Sequence, residues 1–349
     1  MSTVSTLDRF RAKVAGVVLR ETEAGQGLHI DPEDPATAPP STAGWTDAER
    51  RAHESPTMGR FADGLRPLTG GTVRDGVIED LAGYHHLDSA QVVHRCLHWE
   101  EDSVAEWKAA PRDTEEGLAD FYNTTVSWSF DLLWYAYLQT AGYGYPKHVV
   151  IADELPLPEG ATVLDFGSGV GVAAQLFAAL GYEVSLADVS APLLEFARWR
   201  LEHRAVAATY IQLPAELPDA GYHLITAIDT LAHVPDPVQT ARQLYRATRP
   251  GGYLVTNFDV RKRSDRNAWH LYEDDLPLRW AVESAGFVPR RCVDGMWVYR
   301  AEPASGSRRA LSWLRLASPP AQGIRLARRA AIRAAVGAIQ VVQRGPAGG

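Results

Sequence analysis

From residue 160 onward, short apolar runs alternate with longer stretches of helical spacing. "ATVLDF" is followed by "GVAAQLFAAL", "YEVSLAD" by "APLLEFARWRLEHRA", and "ATYIQ" stands before "YHLITAID". "DPVQTARQLYRAT" has the helical period, "GGYLVTNFD" the strand pattern, and "DLPLRWAVESAG" the helical period again. "FVPRRCV" and "MWVYRAE" close the series as a pair. Strands that are apolar on both faces and alternate with helices predict a parallel sheet covered on both sides. The expected fold class is α/β: a doubly wound, mostly parallel, seven-stranded sheet with helices on both faces. Ligands of such sheets bind beyond the carboxyl ends of the strands.

Before residue 146 the pattern differs. "SAQVVHRCLHWEEDSVAEWKAA" carries a helical period, opens on Ser89 as N-cap and is stopped by Pro111. In the aromatic stretch 121–146, Phe130, Leu133, Trp134 and Tyr137 recur at helical spacing, and Gly142, Gly144 and Pro146 end the helix. Most of these rings belong in a core. They outnumber what one helix face hides, so Tyr122, Trp128, Trp134 and Tyr135 are candidates for a pocket wall. Residues 24–44 are rich in Pro, Ala, Ser and Thr and read as a linker. The predicted organisation is a flexible N-terminal arm over 1–45, a helical lid or substrate region over 46–145, the sheet domain over 146–302 and a tail over 303–349.

Composition narrows the function classes. The 349 residues are 46% hydrophobic and carry a net charge of −8, which argues against a general nucleic-acid binder. Two cysteines, Cys96 and Cys292, make no disulfide framework and suit a reducing cytoplasm. No apolar run reaches the roughly 18–20 residues that span a bilayer. A short amphipathic helix is expected at the N-terminus, too short in its apolar patch for a signal peptide. The tail from 303 to 349 has eight arginines and no acid. Its segment 324–342 puts Arg325, Arg329 and Arg333 on one stripe, as a helix on an anionic membrane surface would, or a helix docked on its own domain. His94 and His98, four apart, have a zinc-like spacing, but no metal is expected.

The densest chemical signal is "VLDFGSGVG" at 163–171. Glycines at 167, 169 and 171 follow a strand, allow a tight turn, and let a ligand touch backbone. A dinucleotide fingerprint needs glycine at 172, where this chain has Val172. Asp188 ends the next strand, 17 residues after Gly171, where a carboxylate can accept both hydroxyls of a ribose. Ser190 is placed to cap the helix that follows.

"VLDFGSGVG", "LADVS", "LAHVPDP" and "RPGGYLV" together resemble the hallmark stretches of class I S-adenosylmethionine-dependent methyltransferases, over roughly residues 146–302. The resemblance implies a Rossmann-like sheet and S-adenosyl-L-methionine as cofactor. It implies that Asp165 and the backbone of Gly167 and Gly169 hold the methionine part, that Asp188 holds the ribose, and that Val189 packs beside the adenine; Ser168, between the two glycines, is a further cofactor-binding candidate. Pro214 occupies the position where the family often has an acid, which leaves Ala215 backbone, Glu216 or Gln212 for the adenine. Glu216 reads equally as a solvated loop charge. Asp229 and Thr230 begin the loop that faces the sulfur in similar enzymes.

Methyl transfer to a hydroxyl or carbon also needs a proton acceptor. His233 is one candidate, and its plainer reading is part of a helix entrance in which Asp236 caps and Pro237 opens the first turn. The segment 257–277 supplies others: Asn257, Asp259, His270 and Tyr272. Its Arg and Lys cluster reads as a charged surface loop, and "EDDLP" as the cap of the helix near Leu276. The catalytic candidates are thus His233, His270 and Tyr272. The expected activity is methylation of a small-molecule acceptor, at oxygen or carbon, in specialised biosynthesis and without nucleic acid. A membrane-surface methyltransferase for a lipid or quinone, a non-catalytic scaffold that binds the cofactor, and a nucleotide-dependent oxidoreductase are the rivals. A homodimer is left open.

Overall fold

The computed structural model describes residues 29–110, 115–261 and 269–302. The predicted N-terminal amphipathic helix and the arginine-rich tail lie outside the described residues. Among the described residues, eight α-helices precede the sheet: α1 (Asp47–Glu54), α2 (Pro56–Leu65), α3 (Val73–His85), α4 (Ser89–Leu97), α5 (Trp99–Ala109), α6 (Glu115–Thr124), α7 (Ser127–Thr140) and α8 (Lys147–Glu154). The sheet region then runs β1 (Thr162–Phe166), α9 (Val172–Ala179), β2 (Glu183–Asp188), α10 (Ala191–His203), β3 (Thr209–Gln212) and β4 (Tyr222–Ala227). It continues with α11 (Pro237–Ala247), β5 (Thr248–Thr256), α12 (Leu276–Ala285), β6 (Phe287–Val293) and β7 (Met296–Ala301).

The seven strands form one sheet in the order β3-β2-β1-β4-β5-β7-β6. The pairs from β3 to β5 are parallel, and β7 runs antiparallel to both β5 and β6. Asp294 and Gly295, both at positive φ, turn the β6–β7 hairpin. The strand order reverses between β1 and β4, and in sheets of this kind the crevice at the carboxyl ends of such a pair is where ligands bind.

Strand alternation sorts the side chains onto two faces. Val163, Val184, Leu186, Leu224, Val255 and Val298 point into one core with α8, α9 and α10. Leu164, Ala187, Ile225, Leu254 and Tyr299 point into the other, with α11 and α12. Apolar residues of α1–α4 and α7 belong to the first core as well. The segment over 46–145 therefore shares its core with one face of the sheet.

Two expectations change in detail. The helix predicted from Ser89 is two helices that meet at His98, whose φ and ψ of −120° and 18° depart from helical values. Its cap is Asp88, which accepts the Gln91 N–H at 2.8 Å while Gln91 answers onto the Asp88 N–H at 3.0 Å. From His29 on, the arm is docked. Asp31 pairs with Arg74 at 2.6 Å, and Trp134 Nε1 donates to the Ile30 carbonyl at 2.9 Å. Trp134 is fully buried and belongs to the core.

Candidate active site

The chain leaves β1 through a loop whose three glycines all have positive φ: 74° at Gly167, 50° at Gly169 and 75° at Gly171. A Cβ at Gly167 would stand 2.3 Å from Thr230 Oγ1, so the loop after β4 closes directly onto bare backbone. Gly171 caps α9 and packs on Leu186 and Ala197, which makes it a packing glycine. The loop is tied to β2. The N–H groups of Gly167 and Ser168 donate to the Ala187 carbonyl at 2.7 and 3.2 Å, and the Gly169 N–H donates to Asp188 Oδ2 at 2.8 Å. The carbonyls of Gly167 and Gly169 take no protein donor among the described residues. Ser168 Oγ is buried and also lacks a partner.

Two carboxylates stand beside this loop. Asp165 is 5% exposed and accepts the Thr226 hydroxyl at 2.8 Å. Burial pushes its pKa up to about 7; the Thr226 bond opposes the rise and the nearby Asp188 charge adds to it. Asp188 is 7% exposed, and its second oxygen accepts the Ser190 N–H at 2.8 Å. Burial raises its pKa too, against the backbone N–H groups that favour its charge. Ser190 caps α10 as expected. The Tyr122 hydroxyl is buried and unpartnered, and both burial and the Asp188 charge raise its pKa.

Across the crevice, Asp229 follows β4 with φ at 54°. Asn257, after β5, meets it twice: the Asp229 N–H donates to Asn257 Oδ1 at 2.7 Å, and the Asn257 amide donates back to Asp229 Oδ1 at 2.5 Å. Lys147, the first residue of α8, pairs with the other carboxylate oxygen. Burial opposes both charges, but their attraction outweighs it, so the Asp229 pKa falls and the Lys147 pKa rises. Thr230 Oγ1 lies within hydrogen-bonding distance of the Ile228 and Phe166 carbonyls, at 2.9 and 3.1 Å.

Next to this pair sit two histidines. Their rings are 4.5 Å apart, centre to centre. His233 belongs to a single turn over Leu231–His233, and its Nδ1 meets the Trp269 carbonyl at 3.1 Å. That contact needs a proton on Nδ1 and leaves Nε2 as an acceptor. Burial, with His270 adding, pushes the His233 pKa down to about 4, so the ring is neutral at pH 7. His270 is 3% exposed; its Nε2 faces Asp259 Oδ2 at 3.5 Å, and its Nδ1 has no partner among the described residues. Arg261 grips Asp259 with contacts of 2.6 and 3.2 Å. Burial opposes the Asp259 charge, but His270 and Arg261 hold its pKa far below the usual carboxylate range. Tyr272 lies further along, its hydroxyl committed to the carbonyls of Val234 and Pro235 at 2.9 and 3.1 Å.

Aromatic rings connect the two halves. Trp107, Phe121 and Trp269 form one buried cluster, with Tyr122 and Trp128 packed on it. Trp128 lies 6.0 Å from Trp269 and 5.5 Å from Tyr122, ring centre to ring centre. The cluster thus reaches from the residue beside Asp188 to the residue that holds His233. Of the four predicted pocket rings, Tyr122 and Trp128 belong to this cluster, Tyr135 feels the charges of Lys147 and Asp229, and Trp134 is core.

The remaining predicted residues fall near the end of β2. Val189 is 37% exposed, an apolar side chain left bare beside Asp188. Gln212 donates to the Val189 carbonyl at 2.8 Å, and the Ala215 carbonyl accepts Gln243 at 3.2 Å. Glu216 is exposed. Sequence reasoning missed Lys147, Asp131 and the role of Arg261, which had been read as surface charge. Asp131 had a signal: it is the sole charged residue in α7. Burial pushes its pKa up to about 7, with Arg261 opposing the rise and Asp229 adding to it. No group of three metal-ligating side chains exists among the described residues. No described helix is long and apolar enough to cross a membrane.

A family model described as a methyltransferase domain matches residues 147–338. That is more than half of the chain, and the chain belongs to this family, the class I S-adenosylmethionine-dependent methyltransferases. Among curated proteins it is similar to the ubiquinone biosynthesis O-methyltransferase of Proteus mirabilis, with 33% identity over 117 residues, 32% of this chain and 46% of that protein. The protein of the same name from Pseudomonas paraeruginosa is 34% identical over 114 residues, 31% of this chain and 49% of that one. The chain spans about half the length of these curated relatives. A solved S-adenosylmethionine-dependent methyltransferase from Aquifex aeolicus aligns with a TM-score of 0.37 at 21% identity, over 43% of this chain and 86% of that one.

Proposed function

We propose that this chain binds S-adenosylmethionine at the carboxyl ends of β1 and β2 and methylates a small-molecule acceptor, at oxygen or carbon, in a biosynthetic pathway in the cytoplasm. One observation carries the reading. Three buried polar groups along the crevice, the Tyr122 hydroxyl, Ser168 Oγ and His270 Nδ1, stand without hydrogen-bond partners among the described residues. Buried polar groups are nearly always satisfied, and a ligand rich in hydroxyls and charge would satisfy these.

The residues suit the cofactor part by part. The Gly167 and Gly169 carbonyls are acceptors without donors among the described residues, and with Asp165 they suit the ammonium of a methionine. Each Asp188 oxygen takes one backbone donor and keeps a lone pair for a ribose hydroxyl. Val189 offers an apolar shelf for the adenine, and exposed Glu216 is left to meet its edge, since the Ala215 N–H and carbonyl are engaged by Gln212 and Gln243. Asp229 and Thr230 stand over the loop where the reacting end would lie. When bound, the cofactor supplies a methyl group already activated on a sulfonium, which leaves the chain to align the acceptor and remove its proton.

His270 is the proton acceptor in this reading. It is buried, its Nδ1 is free among the described residues, and the Asp259 carboxylate at 3.5 Å from Nε2 stabilises the imidazolium that forms. His233, neutral and held through Nδ1, packs against that ring and fixes its placement. Tyr272 fastens the segment to the entrance of α11. The aromatic cluster excludes water from the crevice and favours a flat acceptor. Relatives named ubiquinone biosynthesis O-methyltransferases favour a phenolic oxygen, with a quinone precursor as the second reading.

Titration calorimetry with S-adenosylmethionine and its demethylated product tests the cofactor. Both should bind, and Asp188→Ala should weaken them by about a hundredfold, as expected for loss of charge-assisted hydrogen bonds. Failure of the wild-type protein to bind either, while a nicotinamide or flavin nucleotide binds, would sink the reading. Transfer of labelled methyl to a panel of catechols, phenols and active-methylene compounds then identifies the acceptor class. Flotation with anionic vesicles, with and without residues 303–349, separates the membrane-surface reading from a soluble one.

A further inference from the structure

Behind the glycine loop lies a polar network that the proposed chemistry does not use. Arg200, on α10, has a fully buried side chain. Its Nε donates to the Val170 carbonyl at 3.2 Å and its Nη1 to Gln175 Oε1 at 2.6 Å. Its counter-charge is Asp80 on α3, with Nη1 and Oδ2 3.7 Å apart and both side chains nearly inaccessible. Asp80 is held in turn by Arg204, which makes three contacts of 2.8 to 3.0 Å. Arg204 also donates to the carbonyls of Gly64 and Arg66 at 3.0 and 2.7 Å. Gln175 reaches the same Gly64 carbonyl through its amide.

Stability alone is a weak reason for such a network, because apolar residues of equal volume often serve a core as well as buried ions. Its placement is more telling. The Gly167, Ser168 and Gly169 N–H groups all fasten to β2, on one side of the loop. The Arg200 bond to Val170 fastens the loop from the helix side. We propose that Asp80 and Arg200 are positioning residues for the cofactor, holding the glycine loop through the Val170 carbonyl in the shape that receives it. The inference rests on the cofactor reading above. It assigns part of the cofactor site to residues 64–80, outside the matched domain at 147–338. Burial lowers the Arg200 pKa to about 10, with Asp80 opposing the fall, so the guanidinium stays charged at neutral pH.

The test compares Arg200→Lys, which keeps a cation opposite Asp80 but loses the fork, with Asp80→Asn and with Leu244→Ala. Leu244 is buried in α11 on the opposite face of the sheet and controls for general loss of stability. Each full-length variant is titrated with S-adenosylhomocysteine at a temperature where circular dichroism shows it folded. Arg200→Lys and Asp80→Asn should raise the dissociation constant about tenfold, the loss of about one charged hydrogen bond, and Leu244→Ala should stay within about twofold of wild type. Amide exchange without ligand should be faster at 167–171 in the first two variants only. If Asp80→Asn does not fold, Arg200→Lys, the milder change, decides. Wild-type affinity in Arg200→Lys, or equal weakening in all variants, overturns the proposal. Failure of the wild-type protein to bind would instead remove the cofactor reading itself.

Discussion

The two ends of the crevice are built in opposite ways. The proposed donor end is one contiguous run, 163–171, plus Asp188, and the groups it offers are mostly main chain. The proposed acceptor end gathers side chains from five places: Asp131 on α7, Lys147 at the start of α8, Asp229 to His233 after β4, Asn257 to Arg261 after β5, and His270. A donor common to many reactions can be held by backbone, which any sequence with the right glycines supplies. An acceptor particular to one reaction needs side chains, and the topology assembles them from distant segments. If this division is real, damage at one end should leave the other intact.

The largest effect is expected from His270→Ala. Removing a positioned proton acceptor costs about 10²–10⁴ in turnover. The cofactor dissociation constant should stay within about twofold of wild type, because the ring lies outside the glycine loop. Stopped assays with the identified acceptor, beside calorimetry with the cofactor, read both quantities. A collapse of cofactor affinity in this variant would show that the two ends are one unit and break the comparison.

Gly167→Ala probes the donor end and should come second. At φ of 74° an alanine costs on the order of 1–3 kcal/mol. Its Cβ would also stand 2.3 Å from Thr230 Oγ1, a clash with a side chain bonded into the β1 and β4 ends. Cofactor affinity should fall by about tenfold to a hundredfold, the range those energies imply. Gly169→Ala should be milder, since its Cβ would meet only the tip of Leu132. Equal losses at 167 and 169 would argue that the ligand, and not Thr230, sets the glycine requirement.

The same division governs what was legible in the chain. The seven strands, and the helices among them, follow from apolar runs and helical periods; the signal is plainest in β1 and β4, which are buried on both faces. The glycine loop and Asp188 were legible because positive φ and a strand-end acid have few substitutes. The break at His98 was not, since the helical period runs through it. Nor was the docking of 29–45: a Pro-rich stretch lacks a period, and its attachment depends on Asp31 meeting Arg74 from a remote helix. Lys147 and Arg261 were missed for a related reason, as a lysine after a proline and an arginine in a charged loop look solvated until Asp229 and Asp259 arrive beside them.

Asp165→Asn sharpens the comparison with the smallest effect and an unusual sign. The Asp165 carboxyl is buried at the donor end with its pKa raised to about 7, against an ordinary value of 3.8 in the unfolded chain. Below about pH 4 both states hold the proton and folding is indifferent to it. As pH rises from about 4 to about 7, the unfolded chain releases this proton while the folded chain keeps it, so stability falls, and above about 7 the cost is constant. Asparagine has no charge to bury and still offers Thr226 an acceptor. The ligand-free variant should therefore melt a few degrees above wild type at pH 8, with the gap closing toward pH 4. Its cofactor affinity at pH 8 should fall by about tenfold, because a charge facing the ammonium is gone. Scanning calorimetry across that pH range, with and without S-adenosylhomocysteine, reads both signs at once. A variant less stable than wild type at pH 8 would mean that the carboxylate is already satisfied without ligand, and that the donor end is no strained receptor waiting for a cation.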